Sequence, residues 1–288
     1  MIELHCHTTY SDGSLTPAQL VATAQAAGVT ALAITDHDTL GGWAEAEAAA
    51  LGTGIEIVPG VELSTIERGH SLHLLGFYPD VQQLQPSLDR RRASRSRRAT
   101  AMAAKLADLG YPITLPALDP NVAPGRPHIA KALLDAGHVT SFDEAFDRFL
   151  REGRPAYVSY DNFTAIEGIQ LLRSCGAVVS WAHPYLFRGG KVEDMLPEFV
   201  AAGLQGIEVY HPEHSPRDRR RLLELADTYG LIATGGSDYH GPKPPNDRGK
   251  RREVIPLNSL AVPAAWLADL KALRDVNRAK ATRGSHQH

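Results

Sequence analysis

The chain has 288 residues and a mass of 31.2 kDa, enough for one large α/β domain or one such domain carrying an insertion. Its 43% hydrophobic and 22% charged residues exclude a disordered chain, and a net charge of -3 excludes a protein dedicated to duplex DNA, which needs clustered Lys and Arg. Two distant cysteines, Cys6 and Cys175, exclude a disulfide framework and a thiolate zinc site. They fit a reducing compartment, and with no basic segment leading into an apolar run and no long apolar stretch, a cytoplasmic protein without membrane contact is expected.

In chain order, apolar runs predict a strand over 1–6, a helix over 17–27, a strand over 30–34, a helix over 42–51 and a strand over 54–61. After the middle of the chain come a helix over 165–175, a strand over 177–181, a helix over 195–202, a strand over 206–210, a helix over 216–229 and a strand over 231–234. Strand-helix units joined by short loops predict a parallel sheet covered by helices, open or closed into a barrel. Between the halves, a helix-rich stretch containing DRRRASRSRRATAMAAKLADLG reads as an insertion. The expected division is a barrel from 1–81 and 156–278, a helical cap from 82–155 and a disordered tail from 279–288.

The chemistry lies in seven segments where a predicted strand gives way to a histidine or an acid: LHCHTTYSDG, ITDHDT, PGVELS, HSLHLLG, SWAHP, IEVYH and GGSDYH. Carboxyl ends of parallel strands converge on one rim, so the segments predict one pocket. In His5-Cys6-His7 the strand period of two sends both imidazoles to one face and the thiol behind them. Asp238 and His240 repeat that spacing. Asp12, His37, Glu62, His73 and His183 complete the ligand candidates, with Glu62 placed where a carboxylate could bridge two cations. Taken singly, Asp12 or Asp36 would be an ordinary loop acid and His73 a core histidine; seven independent segments together argue otherwise. So many imidazole and carboxylate donors exceed the needs of one ion and predict two or three divalent metals, with zinc, manganese or iron suited to the donor set.

These residues resemble the PHP (polymerase and histidinol phosphatase) phosphoesterases of the amidohydrolase superfamily. His5-x-His7, Asp12, Thr35-Asp36-His37, Glu62, His73, His183-Pro184 and Ser237-Asp238-x-His240 match that family's motifs in order, over nearly the whole chain. The resemblance implies an α/β fold, a distorted (β/α)7 barrel with the helical cap inserted. It also implies a trinuclear centre with His5, His7, Glu62 and Asp238 on one metal, Glu62, His73 and His183 on a second, and Asp12, His37 and His240 on a third. GRPHIA (125–130) and GRPAYV (153–158) look like the TrpH-like branch. Its members hydrolyse the 3'-phosphate of 3',5'-nucleotide bisphosphates, and some trim short RNA from its 5' end.

On that basis the expected reaction is in-line attack on phosphorus by a hydroxide bridging two metals at Glu62, with leaving-group protonation by Asp36, Asp38 or His211. The second phosphate of a nucleotide bisphosphate needs cations away from the metals. Arg98, Arg126, His128, Lys131 and Arg154 are the candidates, with His37 and His240 at the substrate side of the metals and Tyr157 as a base-stacking ring. Competing readings keep the metals but change the substrate, to short 5'-phosphorylated RNA, histidinol phosphate or a carbon-nitrogen bond; a non-catalytic PHP module would be expected to have lost ligands.

Overall fold

The computed structural model describes residues 1–115, 119, 121–249 and 255–284, the last four by their backbone alone. Seven strands follow one another around a single sheet in chain order: β1 (Ile2–Glu3), β2 (Ala31–Ile34), β3 (Glu56–Glu67), β4 (His70–Phe77), β5 (Val178–Trp181), β6 (Gly206–Tyr210) and β7 (Ile232–Gly235). The last strand returns to the first through a thin seam. Leu4 N–H donates to Gly235 O at 3.1 Å, His7 N–H to Tyr239 O at 2.9 Å, and Cys6 bridges Tyr239. The result is the nearly closed seven-stranded α/β barrel that the motifs imply.

The expected all-parallel sheet needs one correction. β4 runs antiparallel to both β3 and β5, while the remaining pairs are parallel. Local turn chemistry is the reason: Arg68 and Gly69 both hold positive φ, 49° and 81°, the pair a tight primed hairpin turn requires. β3 therefore continues five residues past Glu62 and folds back on itself, so Glu62 lies within a strand and His73 near the start of the reversed one. Because β4 is reversed, its beginning lies at the rim where the parallel strands end, and His73 still reaches the pocket.

Helices cover the barrel: α1 (Pro17–Ala26), α2 (Trp43–Ala50), α6 (Ala165–Ser174), α7 (Val192–Ala202), α8 (Pro216–Tyr229) and α9 (Ala265–Gly284). Thr16, Thr164 and Ser215 start α1, α6 and α8 with reciprocal capping boxes. α9 continues to Gly284, so residues 279–284 are helical where a disordered tail is expected; 285–288 lie outside the described residues. No helix among the described residues is long and apolar enough to cross a membrane.

Between β4 and α6 lie α3 (Val81–Asp108), α4 (Arg126–Asp135) and α5 (Phe142–Ala145), the last running into a π-helical turn over Phe146–Leu150. They share a separate apolar cluster built on Met102, Leu106, Ile129, Leu133 and Phe149. α3 belongs to both bodies, since Leu84 and Leu88 pack in the barrel core while Met102 and Leu106 pack in the cap. The basic stretch of α3 also locks the two together. Arg91 Nε and Arg95 Nε donate to the two oxygens of buried Asp38 at 2.8 and 2.6 Å, and Arg95 also reaches Ser64 Oγ at 2.6 Å.

Candidate active site

The segment after β1 is held in place by Asp36. Its carboxylate accepts from Thr8 N–H at 2.7 Å, Thr8 Oγ1 at 2.7 Å and Ser11 Oγ at 2.6 Å. Because the Ser11 proton is spent on Asp36, its oxygen accepts from His7 Nδ1, 3.3 Å away, leaving the lone pair of His7 on Nε2. Gly13 closes this turn where no side chain fits: a Cβ there would lie 2.5 Å from His7 O. Gly236 does the same on the opposite side, since a Cβ would lie 2.4 Å from His5 N and push the Asp238 loop off the seam. Cys6 points away from both imidazoles into the core with Leu20 and Val21.

Glu62 is the hub. Its Oε2 lies 3.2 Å from His5 Nε2, 3.1 Å from His7 Nε2 and 3.1 Å from His37 Nδ1, while Oε1 lies 2.7 Å from His73 Nδ1 and 3.0 Å from His183 Nε2. Asp238 Oδ1 adds to the first set at 3.3 Å from His5 Nε2 and 3.1 Å from His7 Nε2. Asp12 gathers the remaining side, 3.3 Å from His240 Nε2, 3.8 Å from His37 Nε2 and 3.7 Å from His7 Nδ1. Every expected metal ligand is thus in one cluster. Three groups of donors close enough to share an ion emerge: His5, His7, Glu62 and Asp238; His37, Glu62 and His73; and His7, Asp12, His37 and His240. Grouping differs from expectation at three positions, because His7 and His37 stand between sets and His183, although 3.0 Å from Glu62 Oε1, falls in none of the three. The Ser11 contact commits His7 Nε2 to the first.

The donors fit cations on two grounds. His5 Nε2, His7 Nε2, His37 Nδ1 and Asp12 Oδ1 are buried without any hydrogen-bond partner among the described residues, although they converge on one another, and such orphans are rare unless an ion satisfies them. The field is also cation-seeking. Burial resists charging His5, but Glu208, Asp238 and Glu62 outweigh it and hold its imidazole well above the usual range; His7, buried likewise, is pushed up to about 10 by the carboxylates of Asp238 and Glu62 beside it. Burial opposes ionisation of Glu62 and Asp238, yet the surrounding histidines hold both well below ordinary carboxylates. Stripping divalent ions with a chelator is expected to lower Tm by about 10 °C, the shift for a ligand present near 1,000 times its Kd in a chain of this size. Differential scanning fluorimetry checks this, and an unchanged Tm would refute a resident metal.

Of the expected proton donors, only His211 faces the cavity. Asp36 is consumed by Thr8 and Ser11, and Asp38 by Arg91 and Arg95, which overcome its burial and hold its carboxyl far below the usual range. His211 Nδ1 accepts from Glu213 N–H at 3.1 Å, so the proton of the neutral ring sits on Nε2, 3.5 Å from Asp238 Oδ2.

A cavity of about 1390 Å³ opens from Glu62, His73, His183 and His240 and is walled by Arg126, His128 and Lys131 of the cap. Arg126 has no carboxylate partner among the described residues, whereas Lys131 pairs with Asp135 at 2.6 Å. His128 Nδ1 accepts from Gly125 N–H at 3.0 Å, leaving Nε2 to donate. Arg98, Tyr157 and Arg154 do not line this cavity. Arg98 is buried behind it, with Nε on Val158 O at 2.6 Å and its guanidinium 3.8 Å above the Tyr160 ring; Tyr157 O accepts from Lys105, and Arg154 is exposed.

Two acids escaped the sequence reading. Glu208 in β6 and Glu3 in β1 are wholly buried behind the centre; Glu3 accepts from Ser237 N–H at 2.8 Å beside Asp238. Their signal was an acid at an inward position of an otherwise apolar strand.

The family model of the PHP domain matches residues 3–149. The chain belongs to the PHP family. Its relatives include the 3',5'-nucleoside bisphosphate phosphatase of Chromobacterium violaceum, 35% identical over 265 residues that cover 89% of this chain and 93% of the relative. A 5'-3' exoribonuclease of Haemophilus influenzae is 34% identical over 260 residues, 88% of this chain and 94% of that protein. Among solved structures, a Bifidobacterium adolescentis protein described as a metal-dependent phosphoesterase matches with a TM-score of 0.82 at 32% identity, covering 94% of this chain and 95% of that one. This PHP chain is a metal-dependent hydrolase of phosphoric esters.

Proposed function

We propose that the enzyme removes the 3'-phosphate of 3',5'-nucleotide bisphosphates, such as adenosine 3',5'-bisphosphate, giving the nucleoside 5'-phosphate. The observation that carries this is one cavity with the donor cluster at its floor and Arg126, free of any carboxylate among the described residues, on its wall. Divalent ions at the floor would supply Lewis-acid neutralisation of the phosphoryl oxygens and activation of water; mixed imidazole and carboxylate donors suit manganese, with zinc or iron as alternatives. The chain's own groups do the rest. Arg126 presents paired donors to the 5'-phosphate, His128 Nε2–H adds a third donor, and His211 Nε2–H donates a hydrogen bond to the departing 3'-oxygen, which water protonates. His37 and His240 border the phosphate being cleaved.

The cavity also favours a second reading. At about 1390 Å³ it exceeds the roughly 300–1,000 Å³ usual for small-molecule sites, leaving room for further nucleotides beyond the first. Short 5'-phosphorylated RNA would place its first internucleotide phosphate where the 3'-phosphate sits. Steady-state hydrolysis of adenosine 3',5'-bisphosphate, adenosine 5'-phosphate and such an RNA by manganese-loaded enzyme separates the readings. Release of the 3'-phosphate from the bisphosphate, with the other two intact, is the expected result; kcat/KM highest on RNA would transfer the function to the second reading.

A further inference from the structure

Glu208 sits in the middle of β6 with no solvent exposure, between the core residues Ile207 and Val209. A carboxylate there costs several kcal/mol unless it is paired, so its partners say what it is for. Oε1 lies 3.0 Å from His5 Nδ1, and Oε2 accepts the backbone N–H of His183 at 2.7 Å. His183 holds a left-handed backbone, φ 32° and ψ 58°, which side-chain-bearing residues adopt only when their surroundings compel it. The far ends of these two residues face different oxygens of Glu62: His5 Nε2 lies 3.2 Å from Oε2 and His183 Nε2 3.0 Å from Oε1. One buried acid therefore supports a histidine on each side of the hub.

We propose that Glu208 is a positioning residue that sets cation affinity on both sides of Glu62 at once. As an acceptor-only group it keeps the proton of His5 on Nδ1, which leaves the Nε2 lone pair for an ion. Through its second oxygen it pins the turn at His183 that aims the imidazole at Glu62. It is not itself a ligand, because both its oxygens are spent behind the histidines and it lines no part of the cavity.

Glu208→Gln tests this without changing side-chain volume. If the amide oxygen keeps the His183 N–H, the amide nitrogen faces His5 Nδ1 and drives the proton to Nε2, removing the lone pair. Manganese binding is measured by equilibrium dialysis with metal analysis, beside circular dichroism and Tm of the metal-free proteins. The metal-free variant is expected to be folded, with manganese affinity reduced about 10–100-fold for at least two ions. Glu208→Asp, which keeps acceptor-only oxygens on a shorter arm, is expected to fall between wild type and Gln. A folded Gln variant with wild-type affinity and stoichiometry would overturn the proposal, as would a lowered metal-free Tm with unchanged manganese affinity, since that marks a role in packing alone. Should the Gln variant not fold, the Asp variant decides: a loss of about tenfold supports the role, and wild-type affinity refutes it. None of these readings depends on which phosphate ester is the substrate.

Discussion

Glu62→Gln is expected to lower kcat by about three orders of magnitude on any phosphate ester, equivalent to roughly 4 kcal/mol of barrier. The size follows from its place: five imidazoles, those of His5, His7, His37, His73 and His183, lie within 3.2 Å of its two oxygens. An amide keeps one acceptor but turns a donor toward the other set, so at least one cation position loses its shared ligand. Metal analysis should show fewer than the wild-type number of ions per chain while circular dichroism stays native. Undiminished turnover with full metal content would remove Glu62 from the mechanism.

Arg126→Ala should separate binding from chemistry. Charge-assisted hydrogen bonds to a buried anion are worth about 1.5–3 kcal/mol, so KM for adenosine 3',5'-bisphosphate is expected to rise by about 10–100-fold. For an aryl phosphate, which has no second phosphate to hold, KM should change less than about threefold, with kcat unaffected. Arg126 starts the first turn of α4 and its guanidinium stands 5.7 and 5.9 Å from the Phe146 and Tyr157 rings, so removing it deletes no ion pair among the described residues. Equal losses on both substrates would mean damage to the cap.

Much of this centre was legible because period-two spacing acts locally. His5 and His7, and Asp238 and His240, stand on one side of their segments with Cys6 and Tyr239 on the other, as alternation requires. The strand-helix pattern gave the helix-covered sheet for the same reason, while its closure into a barrel was implied by the family resemblance alone. What escaped depends on contacts between distant segments. The reversal of β4 follows from a two-residue turn, Arg68-Gly69, whose first position carries no turn-forming residue. Arg98 looked like a substrate contact and Tyr157 like a stacking ring, yet Arg98 covers Tyr160, a pairing set by how α3 docks on residues 157–160. Asp36 and Asp38 flank His37 and read equally well as acids, but each is claimed by groups 25 to 57 residues away, Ser11 and Arg95 at the extremes. In IEVYH the histidine carries the recognisable metal chemistry, whereas the role of Glu208 depends on His5 and His183, 203 and 25 residues away.

The seam between β1 and β7 gives the centre a mechanical role as well. Few backbone bonds join these strands, yet His5 and His7 from one and Asp238 from the other converge on one donor group. An ion held there is a cross-link between chain positions separated by nearly the whole sequence. Long closed loops of this kind withdraw about 5 kcal/mol of freedom from the unfolded chain when the link persists. Metal loading is thereby coupled to the rate at which the barrel opens, and in the metal-free protein amide exchange should start at Leu4 and His7, the place where the ring of strands comes apart.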